Sequence, residues 1–128
     1  MSWAEGDYNA DVSPSDESPR IFTLAEACEL LPVVQRVTED AVVEADALAS
    51  RIEALTEDDP ARDAIQAAWS VVVHRWAGQL REIGVEVKGL WLADFDNDQG
   101  YYCWKYPEAR LSHYHGYEDG FAGRMTIV

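Results

Sequence analysis

Gly84-Val-Glu-Val-Lys88, Leu90-Trp-Leu-Ala-Asp-Phe95, Asp96-Asn-Asp-Gln-Gly100 and Tyr101-Tyr-Cys-Trp-Lys-Tyr106 mark the place where the period of this chain changes. The first block alternates apolar and polar residues. The second is an apolar run with aromatics, the third is turn chemistry, and the fourth alternates again. Two extended runs separated by a turn read as an antiparallel β-hairpin. Pro107-Glu108 turns the chain once more, and Ala109 to His115 is placed to add a third strand. Beyond it, Gly116, Gly120 and Gly123 punctuate a loop whose backbone approaches something closely.

Upstream of Gly84 the period is helical. Phe22-Thr-Leu-Ala-Glu26 opens the first helix: Thr23 and Glu26 form a capping box, and Phe22 is placed to staple the first turn. Leu31, Val34, Thr38, Ala41, Ala45, Leu48, Ile52 and Leu55 then alternate spacings of three and four, which lays one apolar seam along a long helix. Pro32 is expected to kink this helix or end its first segment. Thr56-Glu-Asp-Asp-Pro60 breaks the pattern. A second helix follows, with Asp59 as N-cap and Pro60 in the first position. Its stripe is Ile65, Trp69, Val72, Trp76, Leu80 and Ile83, and Gly84 ends it.

The sequence therefore predicts an α+β fold: a long antiparallel helical hairpin over residues 22–83, then a small antiparallel sheet and a glycine-rich C-terminal loop over residues 84–128. At 1.5 Å per residue the helices reach roughly 50 and 35 Å. The forty-odd residues left over are too few to cover them along their length, as a chain of 128 residues in all makes plain. A second copy closing a four-helix arrangement is the economical solution, so a homodimer is expected. Residues 1–20 carry prolines, glycine and acids without periodicity, and are expected to form a disordered acidic tail outside the single domain at residues 21–128.

Charge narrows the partners. The chain has 24 acidic against 10 basic residues, a net charge of -14. Such a surface repels nucleic-acid phosphates and anionic lipid, so neither nucleic acid nor membrane is expected as a partner. Adaptation to a salt-rich cytoplasm and a GC-rich genome both account for the excess of acids, most of which belong to a solvated surface. Met1-Ser-Trp-Ala-Glu-Gly-Asp7 is no signal peptide, and no apolar run is long enough to span a bilayer. The expected place is the cytoplasm. Cys28 and Cys103 are too few and too far apart for a disulfide framework.

Several segments carry a family resemblance. They are Phe22-Thr-Leu-Ala-Glu-Ala27 with Leu30-Leu-Pro32, then Gly84-Val-Glu-Val-Lys-Gly89, then Cys103-Trp104, Glu108, His115 and Gly120-Phe-Ala-Gly-Arg124. Together they are similar to a prokaryotic family catalogued as domain of unknown function 2203, from about Phe22 to Ile127. The resemblance brings a fold expectation and no activity. The family pattern has an aromatic residue where this chain has His113, whereas His115 falls on the family's histidine.

The C-terminal third concentrates the chemistry. On a strand His113 and His115 project to one face and suit a shared metal such as zinc or iron, with Cys103, Glu108, Glu118 or Asp119 completing the shell. The bland alternative is a half-buried histidine pair among aromatics. His115 with Glu108, Glu118 and Arg124 also suits acid–base catalysis: histidine titrates near neutrality, a carboxylate orients it, and arginine anchors a small anionic ligand. Against this, Arg124 paired with a buried acid and glycines serving a tight turn need no substrate.

Other features read as packing. Cys103 between Tyr102 and Trp104 is more simply core than nucleophile, and Cys28 is expected to pack in the first helix. Asp94-Phe-Asp-Asn-Asp-Gln-Gly100 suggests a calcium loop, but counted from Asp94 the required glycine and glutamate positions hold Gln99 and Lys105. It is better read as an acidic turn. Trp69, Trp76, Trp91 and Trp104 are expected in the core or a dimer contact.

Two functions follow. The first is a small-molecule or metal-binding protein, an enzyme in one version, with a site built from Cys103, Glu108, His115, Glu118 and Arg124. The second is a non-catalytic homodimeric protein–protein interaction module. A site requires His115 and Arg124 to converge in a pocket although they are nine residues apart; an interaction module requires an exposed apolar face.

Overall fold

The structure, a computed structural model, describes residues 20–127. The acidic lead-in expected for the first twenty residues lies, all but Arg20, outside the described residues. Arg20 itself is part of the fold: its guanidinium lies 4.4 Å from the Phe22 ring centroid and donates to the Ile83 carbonyl at 3.3 Å.

Helix α1 spans Leu24–Glu53 and α2 spans Ala61–Glu82. The capping box is formed: the Thr23 hydroxyl accepts from the Glu26 N–H at 3.1 Å, and the Glu26 carboxylate accepts from the Thr23 N–H at 2.9 Å. Pro32 sits inside α1 without ending it. The α1 seam buries Ala27, Leu31, Val34, Thr38, Ala41 and Ala45, and α2 answers with Ile65, Val72, Trp76 and Leu80. Cys28 departs from expectation and is exposed. Ala27 points to the core, and one further residue turns the next side chain about 100° around the helix. Helix α2 begins one residue later than the spacing implies, with Pro60 rather than Asp59 at the N-cap; the Asp59 carboxylate, one residue further out, accepts from the Ala61 N–H at 2.9 Å. Gly84 closes α2 at φ +88°, a conformation glycine adopts without strain.

Five strands follow in a simple meander: β1 Glu86–Gly89, β2 Leu92–Asp96, β3 Tyr101–Lys105, β4 His113–His115 and β5 Met125–Thr126. Every neighbouring pair is antiparallel, in the order β1-β2-β3-β4-β5. The sheet thus exceeds the sequence expectation at two places. The apolar run from Leu90 folds back at Trp91, whose φ is +60°, so that β1 and β2 make a hairpin of their own. The C-terminal loop contains a 3-10 turn, Phe121–Gly123, and supplies β5.

Register gives the sheet two chemically different faces, because side chains alternate along each strand. Ala93, Phe95 and Trp104 face the helices and join Phe22, Val34, Trp76 and Leu80 in the apolar core. The core is tied by polar threads, including the Trp76 indole N–H donating to the Thr38 hydroxyl at 2.8 Å. The opposite face aligns Glu86, Asp94, Cys103, His113 and Thr126 across the five strands. One step along lie Asp96, Tyr101 and His115. This second face carries a row of titratable groups.

Candidate metal centre

Asp94, Cys103 and His115 meet on the polar face, one from each of the three central strands. One ligand atom of each, a carboxylate oxygen, the thiol sulfur and an imidazole nitrogen, lies within 4.8 Å of the other two. All three residues are buried, with Asp94 and Cys103 at 0% exposure and His115 at 3%.

The histidine's hydrogen bonds define its state. Nδ1 lies 2.7 Å from the Gly116 carbonyl, which only accepts, so Nδ1 carries a hydrogen and donates it. Nε2 then faces Asp94 Oδ2 at 3.0 Å, and a single proton is held between the two groups. Burial pushes the Asp94 carboxyl above its ordinary range, with Cys103 and His115 pulling the other way. Burial likewise pushes the Cys103 thiol up to about 12, and the neighbouring Asp94 adds to the rise. The second carboxylate oxygen, Asp94 Oδ1, is buried without a hydrogen-bond partner. Such an orphan costs about 1–3 kcal/mol.

A second cluster borders the first. Arg124 forks onto Glu108, with Nη1–Oε1 at 3.1 Å and Nη2–Oε2 at 2.7 Å. The Lys105 N–H fixes Glu108 at 2.9 Å, and the Phe121 ring lies 4.3 Å from the guanidinium carbon. Arg124 Nη1 also points at Cys103 Sγ, 3.9 Å away. His115 and Arg124 therefore both approach one sulfur, that of Cys103. The guanidinium fork, expected to anchor an anion, is occupied by Glu108.

The other sequence candidates are placed differently. His113 lies across the strand pair from Cys103, and its Nδ1 is buried without a hydrogen bond, 3.9 Å from Glu108 Oε2. It stands outside the Asp94–Cys103–His115 group. Glu118 and Asp119 are exposed; the Asp119 carboxylate accepts from the Gly116 N–H at 3.1 Å and so shapes the loop that follows His115. Tyr117 donates to Asp96 Oδ1 at 2.7 Å and packs edge-on against Tyr101, whose ring in turn lies 5.4 Å from that of His115. Gly100 permits the close pairing beneath it, since a Cβ there would sit 2.4 Å from the His115 carbonyl oxygen.

Asp94 is the residue that sequence reading missed. Counting it as the start of a calcium loop hid its real signal, an acid between two apolar residues, Ala93 and Phe95, inside a buried strand. Every residue of β2 is buried.

The model of an uncharacterized conserved family, DUF2203, matches residues 20–127. The chain belongs to the DUF2203 family. No curated protein and no solved structure matches it. Membership agrees with the resemblance seen in Phe22-Thr-Leu-Ala-Glu26 and Gly120-Phe-Ala-Gly-Arg124, and the site geometry is the remaining guide to chemistry. Among the described residues no helix is long and apolar enough to cross a membrane.

The Glu108–Arg124 pair makes a pH prediction. Burial alone would raise the Glu108 carboxyl, but the Arg124 guanidinium and the Lys105 N–H outweigh it, and the net position is below the ordinary 4.5. A carboxylate depressed in the folded state stabilises the fold above its unfolded pKa, and this contribution is lost as pH falls through the folded pKa. Glu108→Gln is expected to cost about 1.5–3 kcal/mol near pH 7, the worth of hydrogen bonds to a charged group. Urea unfolding should show the gap to wild type narrowing as pH falls below about 4. A gap independent of pH contradicts the ion-pair assignment.

Proposed function

We propose that this DUF2203 protein binds a divalent transition metal, zinc or iron, through the Asp94 carboxylate, the Cys103 thiolate and His115 Nε2. The observation that carries this reading is three mixed donors on three strands within 4.8 Å, one of them beside an unpartnered buried oxygen. Sulfur, imidazole and carboxylate together form a donor set that zinc accepts readily. The Nδ1–H bond to the Gly116 carbonyl leaves Nε2 as the coordinating nitrogen, the usual outer support of a metal-bound histidine. A bound cation would remove the Cys103 proton outright and replace the proton shared by Asp94 and His115. Because the donors are enclosed, the reading is of metal binding rather than of a particular reaction. Free thiols at Cys28 and Cys103 suit a reducing compartment such as the cytoplasm.

The test is the metal content of untagged protein purified in high salt, measured by plasma mass spectrometry. Near-stoichiometric zinc or iron is expected in wild type and little in His115→Ala or Cys103→Ala. The cysteine variant leaves the Asp94–His115 pair intact, so circular dichroism should show it folded. Folded wild-type protein that takes up neither metal, even when supplied, sinks the proposal.

A second reading, a homodimeric interaction module, has its own observation. Val43 and Val71 are 61% and 60% exposed, one on each helix. The strands of two to five residues extend at most about 17 Å, whereas α1 with its 30 residues runs about 45 Å. Sedimentation equilibrium decides it: a dimer that Val43→Glu with Val71→Glu dissociates supports the module, and a monomer at all concentrations removes it.

A further inference from the structure

Arg124 is held more firmly than an ion pair to Glu108 requires. The guanidinium is forked onto both oxygens of Glu108, Glu108 is itself anchored by the Lys105 N–H, and Phe121 lies against the guanidinium plane. Three restraints from three segments leave it little freedom. The result is that Nη1 is aimed at Cys103 Sγ from 3.9 Å, while Asp94 and His115 approach the same sulfur from the strands on either side.

We infer that Arg124 is a positioning residue for the proposed metal centre, its Nη1–H directed onto the Cys103 sulfur to tune that sulfur as a ligand. The inference rests on the metal-binding reading and names a residue outside its donor set. A thiol is a weak acceptor, which agrees with the long 3.9 Å contact. A metal-bound thiolate is a far better one, so the contact strengthens when the site is loaded. An N–H bond and a positive charge at the sulfur draw down its lone-pair energy. This raises the energy of sulfur-to-metal charge transfer, while the restraint on Arg124 holds the sulfur in place as a ligand, and that positioning favours metal affinity. Outer-shell partners of this kind are typically worth about 10–100-fold in metal affinity.

Cobalt(II) makes the effect visible, because its thiolate complexes absorb in the near ultraviolet while aqueous cobalt does not. The full-length protein is titrated with cobalt(II) as wild type, Arg124→Gln and Arg124→Lys, with circular dichroism confirming the fold of each. Wild type is expected to develop a thiolate charge-transfer band. In Arg124→Gln the band should move to longer wavelength, and affinity should fall by about tenfold or more. Arg124→Lys keeps a positive charge for Glu108 and so protects the fold, but a single ammonium cannot hold both carboxylate oxygens and reach the sulfur. Its band should shift in the same direction by a smaller amount. A role confined to pairing Glu108 would leave the Arg124→Lys band where wild type has it. Unchanged bands and affinities in both variants overturn the role of Arg124 while leaving the metal centre standing. A wild-type protein with no thiolate band overturns the metal reading and this inference together.

Discussion

Trp76→Ala is expected to remove most of the stability of this protein. Trp76 is 1% exposed, and its indole packs edge-on against Trp91 with centroids 4.9 Å apart. Deleting a buried tryptophan side chain costs about 3–5 kcal/mol. The Thr38 hydroxyl, itself buried, loses the indole N–H that donates to it, which adds about 1–3 kcal/mol. Set against a typical total of about 5–15 kcal/mol, the sum of about 4–8 kcal/mol removes half or more of the stability. Urea unfolding checks the two parts separately. Trp76→Phe keeps much of the ring while orphaning Thr38, and adding Thr38→Val to it should recover part of the loss. If Trp76→Ala unfolds within 1 kcal/mol of wild type, the helix–sheet packing described for Trp76 is wrong.

Zinc should raise the melting temperature of the metal-free protein by about 10–20 °C. A ligand that binds only the folded state stabilises it by about 2.7 kcal/mol at one hundred times its dissociation constant. In a domain near this size each kcal/mol moves the midpoint by about 4–8 °C. The donors sit on β2, β3 and β4, strands that the unfolded chain does not hold together, so little of this affinity should survive unfolding. Scanning calorimetry with and without zinc measures the shift. Cys103→Ala should abolish it while keeping the apo midpoint close to that of wild type. A shift that persists in Cys103→Ala would place the metal elsewhere, on the acidic surface for instance.

Elements whose physics is local were legible in the sequence. Thr23 and Glu26 are three residues apart, and their reciprocal hydrogen bonds depend on nothing else in the fold. The seams from Leu31 to Ala45 and from Ile65 to Leu80 repeat at helical spacing, and both are buried. Gly84 ends α2 as its place after Ile83 implies. The turn at Trp91 was not legible, because it puts a bulky aromatic at φ +60°, where residue preference argues against a turn. The packing of Trp91 on Trp76 accompanies this conformation and is a tertiary contact.

The site was legible in part for the same reason. Cys103 and His115 were singled out by residue type, and the sheet brings them together. Their third partner is set by strand register: Asp94 stands opposite Cys103 across the β2–β3 pair, nine residues away through the acidic turn. A one-residue slip would have sent it to the other face. Reading Asp94, Asp96 and Asp98 together as an acidic turn hid the fact that Asp94 and Asp96 are buried in β2 and only Asp98 is exposed, since composition cannot tell a solvated carboxylate from an enclosed one. Arg124 and Glu108 were candidates for a substrate site, and their mutual pairing is likewise a product of the way the C-terminal segment folds back.

Zinc K-edge X-ray absorption on the loaded wild-type protein tests the central claim most directly. The Asp94–Cys103–His115 centre predicts one sulfur at about 2.3 Å, with the remaining first-shell atoms nitrogen or oxygen at about 2.0–2.2 Å and imidazole scattering from one ring. In Cys103→Ala the sulfur should vanish from the shell. A wild-type spectrum made of oxygen or nitrogen alone, with no sulfur at that distance, would contradict the assignment of this buried cluster as the metal site.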